Sequence, residues 1–138
     1  RNARWVDTAS GDEIVSDIGL AKRRIASLQA TGEARRSIDA GGALVLPGLV
    51  DTHVHLTPEI SGRYGFRMLA RAGVTSAQEM AGPVDDVLAH AARFGSGIEV
   101  ATLEALRPGK NIGSEDPSRD ELARFVAAAK AKGCHGIK

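Results

Sequence analysis

From Leu44 onward, short apolar strand-like runs recur at residues 44–55, Gly73–Met80, Gly97–Leu103 and Gly133–Lys138, with helical stretches between them. An alternation of this kind, repeating every roughly 25 to 35 residues, builds βαβ units around a parallel sheet. The runs LVLPGLV and GIEVATL are apolar at successive positions, as expected of strands covered on both faces. Three helices are expected. The first, within Ser61–Gly73, places Tyr64, Met68, Leu69 and Ala72 on one face and stops at Gly73. The second opens with Pro83 and the acidic pair Asp85 and Asp86, and buries Val84, Val87, Leu88 and Ala91. The third starts at a capping box, Ser118 with Glu121, buries Leu122, Phe125, Val126 and Ala129, and ends at Gly133. The fold class is therefore α/β, with the units either closing into a barrel or staying open as a doubly wound sheet.

The first 43 residues have a different texture. Short alternating runs broken by glycine and polar turns predict small antiparallel strands. A boundary near Gly41 and Gly42 divides a segment 1–43 from a segment 44–138. At 138 residues the chain is long enough for one ordinary domain but not for a large barrel. It begins at Arg1 and stops as a fourth strand starts, so it is expected to be a fragment.

Composition narrows the classes of partner. The chain is 43% hydrophobic and 25% charged with a formal net charge of +1, which gives no reason to expect nucleic acid or an anionic membrane. The basic residues Lys22, Arg23, Arg24, Arg35 and Arg36 are interleaved with other types and read as solvated surface. No apolar run approaches the roughly 20 residues that span a bilayer. A single cysteine, Cys134, leaves no internal disulfide and suits a reducing compartment, so a cytoplasmic protein is expected.

The stretch LVLPGLVDTHVHL, Leu44 to Leu56, carries the chemistry. Alternation along a strand sets Leu49, Asp51, His53 and His55 on one face and Val50, Thr52 and Val54 on the other. The apolar set suits packing under helices, which turns the polar set inward. Imidazoles and a carboxylate buried together need partners. A divalent metal is the simplest, because two rings at i and i+2 converge on one ion; hydrogen-bonded core histidines are the alternative. Asp51, one step behind, is positioned to orient a ligand by hydrogen bonding.

Other polar residues are read in the same way. Alternation in GCHGIK puts Cys134, Gly136 and Lys138 on one face and His135 on the other, toward the helices. Cys134 reads as a small core residue, and His90 as a surface or interface residue. Glu79 and Gln78 lie near the end of the second strand, where one of them would line a pocket, with little weight on Glu79. The long loop EALRPGKNIGSEDPS offers Arg107, Lys110 and Asn111 to a polar or carboxylate substrate group, or else is simply solvated.

Pro47, Gly48, Leu49, Val50, Asp51, His53 and His55 together resemble the first-strand signature of the amidohydrolase superfamily, a Pro-Gly, an apolar pair, Asp, any residue, and His-x-His. The preceding RRIASLQATGEARRSIDAGG is similar to that family's leading segment. The resemblance implies a partial (β/α)8 TIM barrel preceded by a small β-sandwich, and a metal-dependent hydrolase of carbon–nitrogen bonds. It implies His53 and His55 as ligands of the more buried metal. In binuclear members a lysine ending strand four becomes a carbamate bridging two metals, which points to Lys138 and to two zinc ions, with manganese or iron as alternatives. Further His ligands and a proton-shuttling Asp would lie on later strands, so the fragment alone should be inactive. The implied substrate is a small molecule, a cyclic amide, acyl-amino acid or dipeptide, and the intact protein is expected to be a homo-oligomer. A mononuclear deaminase-type member and a non-catalytic barrel serving as an assembly scaffold are the other readings.

Overall fold

A computed structural model describes residues 1–80 and 82–138. The chain divides into two compact units, Arg1–Pro47 and Gly48–Lys138. In the first, strands β1 (Ala3–Val6) and β2 (Glu13–Ser16) pair antiparallel, and β3 (Gly19–Ala21) and β4 (Arg24–Ser27) form a second antiparallel pair. The β3–β4 turn is made by Lys22 and Arg23, both at positive φ, the mirror-image geometry that matches the twist of a hairpin. The Trp5 indole N–H donates to Ser16 Oγ across β1 and β2 at 2.8 Å.

The apolar run 44–55, expected as one strand, is two. Leu44–Val45 forms β5, which pairs in parallel with Arg4 and Trp5 of β1 and belongs to the first unit. The physical cause is Pro47, whose missing N–H cannot continue a ladder. Gly48 follows because a Cβ there would lie 2.0 Å from Thr75 Oγ1, so only glycine fits against that side chain.

The second unit holds a four-stranded parallel sheet, β6 (Leu49–Val54), β7 (Val74–Glu79), β8 (Glu99–Glu104) and β9 (Gly136–Ile137), with neighbours in chain order. Helices α1 (Pro58–Ser61), α2 (Gly65–Arg71), α3 (Val84–Phe94) and α4 (Arg119–Ala131) lie between the strands in sequence. The capping box of α4 is formed: the Glu121 N–H donates to Ser118 Oγ at 3.3 Å and the Ser118 N–H to Glu121 Oε2 at 2.8 Å. The core of this unit is Leu56, Phe66, Val74, Ala77, Val87 and Ile98, with Val54, Leu69, Ala91 and Val100 packed on it.

Two helix faces differ from expectation. In α2 it is Phe66 and Leu69 that pack inward, while Tyr64 and Met68 are exposed. A 3-10 turn over Gly62–Tyr64 precedes α2, so the helical phase starts at Gly65 and rotates Met68 outward. In α3, Val84 and Val87 are buried and Ala91 packs on the core, but Leu88 is exposed and His90 takes a buried place. In α4, Ala129 is buried and Val126 is exposed.

Parallel pairing sets partners side by side on one face of the sheet. Val54, Glu79 and Thr102 align, as do Ala77 and Val100, on the face that packs against the helices. On the opposite face, Val50 aligns with Ser76 and Gln78 with Ala101, and together with Thr52 these residues border an open cleft of about 240 Å3. Val50 and Thr52 thus face away from the helices, where simple alternation had set them with Val54. The β6–β7 register shifts between Asp51 and Val54, and such an irregularity breaks the two-residue period.

Candidate metal centre

Because the four strands run in parallel, their carboxyl ends share one edge of the sheet. His53 lies next to the last residue of β6 and His55 directly follows the strand, Glu79 closes β7, Glu104 closes β8 and Lys138 follows β9. Loops at such an edge are where α/β sheets gather chemistry.

The imidazoles of His53 and His55 stand edge to face, with ring centroids 5.4 Å apart and an interplanar angle of 79°. His55 has its Nδ1 buried, 3.8 Å from Glu79 Oε1, and makes no hydrogen bond through it, whereas its side chain as a whole is 37% exposed. Its buried edge therefore faces a carboxylate and the rest of the ring opens outward. Two imidazoles at this separation, one backed by a carboxylate, suit a divalent cation as donor set and partial charge balance. They are two candidate donors; among the described residues no group of three or more His, Cys, Asp and Glu side chains converges on one point.

Glu79 is fully buried, and besides facing His55 it accepts the Leu56 N–H at 3.4 Å. Sequence reading gave this residue little weight, and the available signal was a lone carboxylate ending an otherwise uncharged strand. Asp51 does something other than orient a ring: its Oδ1 accepts the His53 backbone N–H at 3.1 Å, fixing the main chain between the two histidines. Glu104, unremarked in the sequence, is buried and accepts the Val84 N–H at 2.9 Å, where its charge suits the positive end of α3.

Lys138 continues the β8–β9 ladder. Its N–H donates to Glu104 O at 3.0 Å and its carbonyl accepts the Leu106 N–H at 2.8 Å. By register it follows Gly136, which aligns with Leu103, and it stands on the sheet edge opposite β6 with two strands between. At the usual strand spacing that is about 14 Å along the sheet. His135 does not pack under the helices: it borders the open cleft, and its Nδ1 accepts the Thr102 N–H at 3.2 Å. His90, expected at the surface, is buried with its ring 5.2 Å from Phe66 and 5.1 Å from Phe94. Cys134 is half buried, its thiol donating to Gly136 O at 2.6 Å.

In the loop after β8, Asn111 binds its own loop. Its Oδ1 accepts the Arg107 N–H at 2.8 Å and its Nδ2 donates to Ala105 O at 2.6 Å. Arg107 and Lys110 are exposed on the same turn. No helix among the described residues is long and apolar enough to cross a membrane.

Comparison with known proteins gives relatives of two kinds. Adenine deaminases from Cereibacter sphaeroides (strain ATCC 17025 / ATH 2.4.3) and Sinorhizobium fredii (strain NBRC 101917 / NGR234) are each 32% identical over 78 residues, 56% of this chain. Allantoinase from Rubrobacter xylanophilus (strain DSM 9941 / JCM 11954 / NBRC 16129 / PRD-1) is 32% identical over 135 residues, 86% of this chain. The chain spans 14% of the length of those deaminases and 30% of that of the allantoinase. No family model and no solved structure matches it. Adenine deaminase and allantoinase are both amidohydrolase-superfamily enzymes, and this chain belongs to that superfamily.

Proposed function

We propose that the chain is the opening part of a metal-dependent hydrolase acting on carbon–nitrogen bonds other than peptide bonds, with the substrate a small cyclic amide. The reading is carried by one observation: two imidazoles, 5.4 Å apart, at the carboxyl end of a parallel strand. Residues 48–138 would be the first four strands of a (β/α)8 barrel, with the open face of the sheet as its interior, and residues 1–47 part of a small β-sandwich. Closing the barrel would bring the edge strands β6 and β9 toward one centre.

In this reading His53 and His55 would hold a divalent metal, zinc or else manganese or iron, whose chemistry would be to lower the pKa of a bound water and to polarise the scissile bond. Asp51 fixes the main chain between the two ligands. Lys138, as its carbamate with carbon dioxide, would serve as a further ligand for a second metal, and its backbone bonds to β8 hold it at the strand end. Arg107 and Lys110 present their charges to the substrate, and Asn111 keeps their loop folded. The remaining ligands and the proton-shuttling Asp would come from later strands. The enzyme is read as cytoplasmic and homo-oligomeric.

Support for a ring-opening hydrolase over a deaminase comes from the allantoinase match, which extends over more of the chain than the deaminase matches. A deaminase-type mononuclear enzyme is the second reading, favoured by the matches to adenine deaminases. The test is to strip the full-length protein with a chelator, restore zinc, and assay allantoin ring opening beside adenine deamination. Zinc-dependent turnover of allantoin or another cyclic amide supports the first reading. Turnover of adenine alone replaces it with the second, and turnover that survives chelation overturns both.

A further inference from the structure

Glu79 is a charged side chain with no exposure at all, on a strand whose other residues are uncharged. A carboxylate so placed costs free energy unless it is met by donors or by opposite charge. The Leu56 N–H meets Oε2 at 3.4 Å, and on the other side Oε1 lies 3.8 Å from His55 Nδ1. That nitrogen is itself buried and makes no hydrogen bond, while the His55 side chain is 37% exposed. At 3.8 Å the two groups face each other just beyond hydrogen-bond length. Asp51 is turned to the His53 backbone and does not compete for this place.

We propose that Glu79 is the positioning residue of His55, accepting a hydrogen bond from Nδ1–H so that the proton stays on that nitrogen and the Nε2 lone pair is presented to the metal. An imidazole can donate from one nitrogen and ligate through the other only in one tautomer, and a carboxylate behind the ring selects it. Glu79 also supplies negative charge behind the ligand, across the ring from the cation. Its bond to the Leu56 N–H ties the same carboxylate to the main chain directly after His55, so the ring and the backbone that carries it are held from one point. The inference rests on the reading of His53 and His55 as metal ligands.

The experiment compares full-length wild type with Glu79→Gln, which keeps the size of the side chain and an acceptor for the Leu56 N–H. Two quantities are read: the zinc dissociation constant by competition with a chelator, and the His55 tautomer in metal-free protein by nitrogen NMR. Wild type should carry its proton on Nδ1. Glu79→Gln should keep the thermal midpoint of the metal-free protein, weaken zinc by roughly 10–100-fold, and shift His55 toward the Nε2–H form. A role confined to the fold would lower the midpoint while leaving affinity and tautomer as they were, and that result overturns the proposal. His55→Asn in parallel separates the two ideas. If it binds zinc as wild type does, the metal reading fails, and a wild-type His55 protonated on Nε2 sinks the positioning role on its own, without any variant.

Discussion

On one face of the parallel sheet Val54, Ala77 and Val100 meet Phe66, Leu69 and Val87, and on the other Val50, Thr52, Ser76, Gln78 and Ala101 border an open cleft. The same strands make both faces, yet one holds aliphatic and aromatic packing and the other small and polar side chains with Val50 left 67% exposed. The helix-covered face holds this unit together. The open face contributes little until something covers it, which is what the barrel reading supplies.

The largest effect should come from the covered face. Phe66→Ala, at a ring that is 2% exposed, should cost about 3–5 kcal/mol in urea unfolding; a loss below about 1 kcal/mol would mean that the helices are not what stabilises the sheet. Val50→Ala sharpens the contrast. In the 138-residue chain it should change stability by no more than about 0.5 kcal/mol, and in the full-length protein, with the face closed over, by about 2 kcal/mol. Equal small effects in both would argue against a closed barrel.

Smaller effects belong to the helix ends. Ser118→Ala should cost about 1 kcal/mol by removing the cap of α4. The hydrogen bonds from Ser118 hold the Glu121 carboxyl below its ordinary value of 4.5. A depressed carboxyl stabilises the fold above its unfolded value, and that contribution is lost as the pH falls through the folded one. Helix content followed by circular dichroism should therefore decline below about pH 4.5 in wild type, less so in Ser118→Ala. The smallest effect is at Lys132, where the hydrogen bond to Asp85 and its charge raise the amine above 10.5. Its contribution is complete below that value and fades as the pH rises through the folded one, and Asp85→Asn should abolish the alkaline part of the stability profile.

Features set by near neighbours were legible in the sequence. The Ser118–Glu121 box, the stop at Gly73 and the strand–helix alternation each depend on a few adjacent residues, and the structure has all three. The phase of α2 was not legible, because the 3-10 turn before it rotates the helix and exchanges Met68 for Phe66. Nor was the break of the apolar run at Pro47, since Leu44 and Val45 are claimed by β1, some 40 residues back in the chain. At the candidate site the histidine pair was legible from its i, i+2 spacing. The partnership of His55 with Glu79 was not, because it depends on the register of two strands, and that register shifts between Asp51 and Val54.

The reading of β6 as a metal strand comes down to metal content in the full-length protein. Wild type and a His53→Asn, His55→Asn double variant, purified identically and confirmed folded, should differ by at least one divalent ion per chain. Equal metal in both would remove the basis for a hydrolase centred on these two rings.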